Sequence, residues 1–348
     1  MKIIVKRLFK ILVPSLLFLL LAAAVFMCLR GQSISECTYS VPSRTGDHVR
    51  IVALADLHGE LPEEKQDKFA QRIRSLFPDL IVYLGDMIDC STPVESADVL
   101  ESLTERLIRI APVCYVDGNH EQTVRAKDPD IYMSLNDALT EAGAVQLDNN
   151  TVRLLISEDP DKPAEWISGQ LPLTETPVES AERESGKASA DEFPDDPDGT
   201  IVNICGITTH YYWGQEESAL VSDLSGMDGI NVLLCHYPES VIWYDAFDSG
   251  GLDLAICGHT HGGLIRLPFL GGFYAPEQGR WPLYDQGRFP IYTDTTWGDY
   301  GGSEGSDFLG TMIISGGLAG EHGVPRINNP KEISVIDTVY TRDLFRMD

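Results

Sequence analysis

DLIVYLGDMID, residues 79–89, joins a short apolar run to a glycine and two carboxylates. The run 79–84 has the length and composition of a strand covered on both faces. Gly85 ends it, and Asp86 and Asp89 follow. Working outward, the pattern recurs. VRIVAL (49–54) ends at Ala55-Asp56, and PVCYV (112–116) ends at Asp117-Gly118-Asn119-His120. Helical spacing fills the gaps. After Pro62, the residues Phe69, Ile73 and Leu76 share one face; a second helix is expected from about Val94 to Ile110 and another around 130–142. Apolar strands alternating with helices predict an α/β fold in which helices cover a sheet.

Further β-like runs are IVNICGI (201–207), INVLLCH (230–236), LDLAICGH (252–259), GTMIISGG (310–317) and ISVIDTVY (333–340). Before them, residues 157–199 hold thirteen Asp or Glu against three Lys or Arg, with several Pro, Ser and Gly. That composition predicts a disordered or loosely held acidic insertion, with Trp166 and Ile167 as candidate anchors. Residues 264–309, rich in Gly, Pro and aromatics, read as a long structured loop beside whatever the preceding motif builds.

At the N-terminus, Lys2, Lys6, Arg7 and Lys10 precede ILVPSLLFLLLAAAVFMCL (11–29), which carries no charge. Nineteen helical residues span roughly 28 Å, close to the thickness of a bilayer's hydrocarbon core. The lack of any polar face argues against a buried core helix. The basic flank places the N-terminus in the cytoplasm and the remainder outside. A cleaved signal peptide is the rival, given the small residues Ala22 to Ala24, but the apolar run continues to Leu29. The expected organisation is a membrane anchor at 1–30, a linker at 31–48 and one catalytic domain at 49–348 that contains the acidic insertion.

Charge narrows the function. The 348 residues include 53 acidic and 26 basic side chains, for a net charge of −27. Long polyanions are repelled by such a surface, and no basic tract offsets it, so a nuclease and a nucleic-acid partner are not expected. Seven cysteines are too few for a disulfide scaffold at this length. Cys114, Cys205, Cys235 and Cys257 fall in apolar runs and read as small buried hydrophobes.

The polar residues at the strand ends form an ordered set: Asp56-Leu57-His58, Gly85-Asp86-Met87-Ile88-Asp89, Gly118-Asn119-His120-Glu121, His236, and Gly258-His259-Thr260-His261. Ligand sites of open α/β sheets collect beyond the carboxyl ends of strands, so these groups can converge on one rim. Five of the eight histidines belong to the set. Asp, Asn and neutral His are donors suited to Mn, Fe or Zn. Asp56 and His58, like His259 and His261, alternate along the chain and can face one ion together. Singly, each signal is weak: Gly-Asp is usually a turn, and a lone His236 is usually a hydrogen-bonded histidine.

Taken in this order, the set resembles the calcineurin-like metallophosphoesterase superfamily. GHTHGGLIRLPFLGG (258–272), with SGGL (315–318) and PRINNPKEI (325–333), resembles its membrane-anchored bacterial branch. The resemblance implies a four-layer α/β/β/α sandwich and a dinuclear site for two divalent metal ions. It implies that Asp56, His58 and His261 hold one ion, that Asn119, His236 and His259 hold the other, and that Asp86 bridges them. His120 would act near the scissile phosphate as general acid or charge stabiliser, and Asp89 would orient His120 by hydrogen bonding. Two departures touch the rim: Gly59-Glu60 continues the first motif, and Cys90 follows Asp89 where relatives carry a basic residue.

The expected activity is hydrolysis of a phosphodiester or phosphomonoester by a metal-bridging hydroxide, at the outer face of the cytoplasmic membrane. The alternative is a pyrophosphate hydrolase acting on a lipid-linked nucleotide or sugar. The tether and the aromatic loop favour a lipid-linked substrate. A binding module that has lost turnover fits less well, because no ligand is missing and the histidine after Asn119 is present. His210 and Arg266 are further candidates for the cleft wall. No protein partner is readable.

Overall fold

The computed structural model describes residues 2–157, 159, 162–171, 199–208, 211–299, 301–320 and 324–340. Most of the expected acidic insertion, including 172–198, lies outside the described residues, as does His210.

Two sheets face each other. The first contains β1 (Ile34–Ser43), β2 (Arg50–Leu54), β3 (Leu80–Tyr83), β4 (Val113–Tyr115), β5 (Val145–Gln146) and β17 (Lys331–Tyr340), in the order β1-β17-β2-β3-β4-β5. The second contains β6 (Asn150–Ser157), β7 (Glu165–Leu171), β8 (Gly199–Ile207), β9 (Ile230–Cys235), β10 (Leu254–Cys257), β15 (Gly287–Tyr292) and β16 (Phe308–Ile314). Its order is β15-β16-β10-β9-β8-β6-β7. In the first sheet β2, β3 and β4 are parallel; in the second β8, β9, β10 and β16 are parallel.

The two-residue period of the strands divides their side chains between three apolar layers. Ile51, Ala53, Leu80 and Val82 meet Ile230, Val232, Leu234, Leu254 and Ile256 between the sheets. Val52, Leu54, Ile81 and Tyr83 face outward, against α2 (Glu63–Arg74), α3 (Pro93–Leu107) and α5 (Pro129–Ala142). Leu233, Cys235, Ala255 and Cys257 face the other way, against α6 (Gln215–Ser225) and α7 (Pro238–Trp243). The result is the four-layer α/β/β/α sandwich, and it explains why these runs are apolar without alternation: both faces of each strand are buried. All seven cysteines are free thiols, and Cys114, Cys205, Cys235 and Cys257 are buried.

Two expectations are corrected. Residues 31–48 are not a linker, because Ile34–Ser43 pairs in parallel with β17 along its whole length. Val41 is fully buried, while Cys37 and Tyr39 are half-buried. Ser, Thr and Glu alternate with them, and Pro42 is tolerated because β1 is an edge strand. Glu165–Leu171, at the start of the acidic segment, is likewise a strand rather than loose chain: it pairs with β6, and Trp166 packs on the inter-sheet core. The loop 264–309 also carries more order than composition showed. It holds the small pairs β11 (Arg266–Leu267) with β12 (Gly271–Gly272) and β13 (Tyr274–Ala275) with β14 (Gly279–Arg280), and then β15.

Helix α1 (Lys2–Gly31) touches the sandwich through its last turn, where the Asn328 amide donates to the Met27 carbonyl. Its segment Leu12–Gly31, with mean hydropathy 2.7, is long and apolar enough to cross a membrane.

Candidate metal centre

The loops that carry the motif residues leave the carboxyl ends of β2, β3 and β4 in one sheet and of β9 and β10 in the other. Because the three strands of the first set and the two of the second are each parallel, all these loops emerge on one rim. The backbone there is unusual. Asp56, His58, Asp86, His259 and His261 all have φ between 46° and 72°, in the left-handed region. Each such residue costs about 1 kcal/mol or more, and strain of this kind collects at functional sites.

Neighbouring loops hold that strain in place. The Asp56 amide donates to the Gly85 carbonyl (3.1 Å), and the His58 amide to the Asp86 carbonyl (3.0 Å). Glu121, quoted in the motif but assigned no role by the sequence, ties two loops together. Its buried carboxylate accepts the amide N–H groups of Asp86 (2.8 Å), Met87 (2.8 Å), Ile88 (3.1 Å) and Gly118 (2.9 Å). Gly118 must be glycine, since a Cβ there would stand 2.3 Å from Asp86 Oδ1.

Two groups of donor atoms result. Asp56, His58 and His261 place ligand atoms within 4.8 Å of one another, and so do Asp86, His236 and His259. Asp86 also clusters with His58 and His120, so it stands between the groups. Asn119 Oδ1 lies 3.2 Å from His236 Nε2, which places it beside the second. All seven expected ligand residues thus converge.

Hydrogen bonds select which imidazole nitrogen is free. Leu84's carbonyl accepts from His236 Nδ1 (2.6 Å), leaving Nε2 to face Asp86 Oδ2 at 3.3 Å. Ala319's carbonyl accepts from His261 Nδ1 (3.2 Å), which makes Nε2 the ring's acceptor nitrogen. Tyr211's hydroxyl meets His259 Nε2 at 2.9 Å, which turns Nδ1 toward His236 (3.3 Å). Tyr211 carries no motif signature, so only the fold reveals it. Behind these rings lies a buried acid, Glu239 on α7, whose carboxyl burial pushes up to about 7.

The donor set fits divalent cations. Asp56 is fully buried; one carboxylate oxygen accepts the His259 amide (3.1 Å), and the other, Oδ2, has no hydrogen-bond partner. Burial holds its carboxyl above the ordinary range against the pull of His261 and His236. Burial works the same way on Asp86, but His236 outweighs it and holds that carboxyl well below the usual range. Reciprocally, Asp86 overcomes the burial of His236 and pushes the imidazole up to about 10. A buried acceptor without a donor, set among carboxylates and imidazoles of fixed tautomer, is the chemistry of a metal site.

His120 also reaches the centre. Its amide donates to Asp86 Oδ1 (2.7 Å), and its ring meets that of His58 edge-on at 4.3 Å between centroids. Asp89 does not orient it as expected. Asp89 Oδ1 is 3.6 Å from His120 Nδ1, in ion-pair range but beyond hydrogen-bond reach, and Cys90's amide N–H donates to Nδ1 instead (3.0 Å). Ser91 occupies Asp89 with two 2.8 Å hydrogen bonds.

Beside the centre opens a cleft of about 910 Å³. Asn119 and His259 form part of its wall; Tyr211, Leu264, Ile265 and Phe273 make it apolar, and Arg280 adds a cation. Arg266 turns aside to pair with Asp285 at 2.8 Å.

The family model described as calcineurin-like phosphoesterase matches residues 49–263. An uncharacterized metallophosphoesterase of Campylobacter jejuni is 22% identical over 270 residues, covering 77% of this chain and 58% of that protein. The UDP-2,3-diacylglucosamine pyrophosphatase LpxG of Chlamydia muridarum is 26% identical over 236 residues, covering 64% of this chain and 66% of that protein. The chain therefore spans less than two thirds of the length of these two relatives. Among solved structures, a purple acid phosphatase from yellow lupin seeds aligns with a TM-score of 0.37 and 14% identity, over 83% of this chain and 45% of that one.

Proposed function

Since this chain belongs to the calcineurin-like phosphoesterase family, we propose that it is a metal-dependent hydrolase that cleaves a phosphodiester or pyrophosphate bond in the head of a lipid-linked substrate, outside the cytoplasmic membrane. One observation carries the choice of substrate. The cleft walled by Asn119 and His259 is otherwise largely apolar and aromatic, and the 264–280 loop that forms most of it is joined to the end of α1 through Asn328. A phosphate at the centre would leave an apolar moiety in contact with Leu264, Ile265 and Phe273.

Asp56, His58 and His261 would hold one divalent ion, Asn119, His236 and His259 the other, and Asp86 both. Bound there, the two ions would activate water and offset charge on the phosphoryl oxygens. The chain's own groups do the rest. With Cys90's amide donating to Nδ1, the proton of neutral His120 resides on Nε2, which can donate a hydrogen bond to a phosphoryl oxygen and offset its charge. α4 (Asn119–Lys127) begins at the centre, so its positive end faces an anionic substrate. Glu121 keeps the Asp86 and Gly118 loops in register.

The pyrophosphate reading has its own support. A second phosphate needs a further cation, and Arg280 lines the cleft. The chlamydial relative named above is a pyrophosphatase of a diacylated nucleotide sugar. The test is turnover by manganese-loaded full-length chain of three probes: a bis(aryl) phosphate, an aryl monophosphate and a diacylglycerol carrying a nucleoside diphosphate. Preference for the last supports the reading. Monoester turnover alone would overturn it.

A further inference from the structure

The segment 264–283 leaves the site motif and carries apolar side chains into solvent. In the β11–β12 hairpin the tip is Pro268-Phe269-Leu270; Phe269 is 107% exposed and Leu270 65%. Phe269 has a φ of 67°, an outlying conformation for a bulky residue. Trp281, 50% exposed, is held next to this hairpin. Its amide donates to the Phe273 carbonyl (2.9 Å), and the two rings meet edge-on at 5.2 Å.

The base of the hairpin is tied to the end of α1. The Asn328 amide N–H donates to the Met27 carbonyl (2.8 Å), and the Arg30 guanidinium donates to Asn328 Oδ1 (3.1 Å). From the same residue, the Asn328 side-chain amide donates to the Arg266 carbonyl (2.9 Å). The contact is close: a Cβ on Gly31 would stand 1.9 Å from the Arg326 carbonyl oxygen. Phe269 is three residues beyond Arg266, so it lies within roughly 10 Å of the residue that Asn328 ties to the end of the apolar helix. The headgroup region of a bilayer is of that thickness, and there aromatic residues are enriched. Arg30, in the last turn of α1, complements anionic headgroups.

We propose that the Pro268–Leu270 tip and Trp281 insert into the headgroup region of the membrane that α1 crosses, as a second membrane contact that holds the mouth of the cleft at the lipid surface. The inference rests on the reading of α1 as a membrane span. The hairpin is also tied to the centre, because the Phe273 amide donates to the carbonyls of Gly263 (3.2 Å) and Ile265 (2.8 Å), next to His261. A lipid-linked substrate could then reach the cleft without leaving the bilayer surface.

The experiment uses the full chain, reconstituted in vesicles of phosphatidylethanolamine and phosphatidylglycerol, with and without bromine near the top of the acyl chains. The difference in emission between the protein and its Trp281→Phe variant reports Trp281. Insertion predicts that bromine lowers this difference by about twofold, and that the pair F269D and L270D restores it while hydrolysis of a water-soluble aryl phosphodiester is unchanged. Flotation with the vesicles is recorded in parallel. Chain that floats with Trp281 unquenched overturns the inference but not the anchor, and points to a protein partner or a second copy on the patch. Chain that does not float overturns both. Quenching without hydrolysis supports the insertion and sinks the hydrolytic reading.

Discussion

Alanine at position 317 tests whether Asp56 is held for a metal. Gly317 follows β16, has φ +72°, and would place a Cβ 2.6 Å from Asp56 Oδ2. Ordinary contact begins at 3.4 Å, so 0.8 Å must be found. The backbone cannot supply it. Leu318's amide donates to the Ala55 carbonyl (2.9 Å), and Glu332's amide donates to the Gly317 carbonyl (2.9 Å). The Asp56 carboxylate must therefore move, whereas metal–ligand distances hold within about 0.2 Å. The variant should lose the ion held by Asp56, His58 and His261, and turnover should fall about 100-fold, as expected for an ångström-scale misplacement. Gly250→Ala is the control. It shares the φ of +72° but has nothing within 4 Å of its Cβ, so it isolates the backbone strain. That strain costs about 1–2 kcal/mol, a fall of roughly 2–4 °C in Tm. Metal content by mass spectrometry after manganese loading, with turnover of an aryl phosphodiester, reads both. Two ions per chain and turnover within about twofold of the Gly250→Ala control would refute the reasoning.

His120→Ala should lower turnover by about 10²–10³ while keeping both ions, as for loss of a charge-stabilising donor; loss of metal with turnover would instead make His120 a ligand. Glu121→Gln leaves one acceptor oxygen for four amide N–H groups. At about 1–3 kcal/mol for each of the two stranded donors, it should lower stability in urea by at least about 2 kcal/mol, and an unchanged midpoint would exclude the clamp. Glu239 has a folded pKa of about 7, above the 4.5 of its unfolded state. Its ionisation therefore opposes folding, with no penalty below pH 4.5, a growing one from 4.5 to 7, and the full amount above. In metal-free chain, Glu239→Gln should stabilise by about 3 kcal/mol at pH 8 and by much less at pH 4.5; equal shifts at both pH values would contradict this.

Much of the fold was legible because burial on both faces leaves a local signature. The runs ending at Leu54, Tyr83, Cys235 and Cys257 are apolar but for Arg50 and Asn231, and each is followed within three residues by a polar residue of the centre. β1 was not legible. Its ISECTYSVPS alternates polar and apolar residues as a linker can, and it is a strand only because β17, some three hundred residues later, offers an unpaired edge. Strand Glu165–Leu171 escaped notice for the same reason, inside an acidic composition.

For the candidate site, the sequence by itself determined which side chains stand at the strand ends, since the identity and spacing of Asp56, His58, Asp86, Asn119, His236, His259 and His261 are local facts. Only the tertiary structure decided which atoms face one another. It brought Tyr211 to His259, set Glu121 between two loops, gave His120 to the Cys90 amide rather than to Asp89, and carried the end of α1 to the loop at the mouth of the cleft. The reason is physical. A strand's alternation follows from its own backbone, whereas a hydrogen bond across a site depends on register and packing between segments far apart in the chain, which no local pattern encodes.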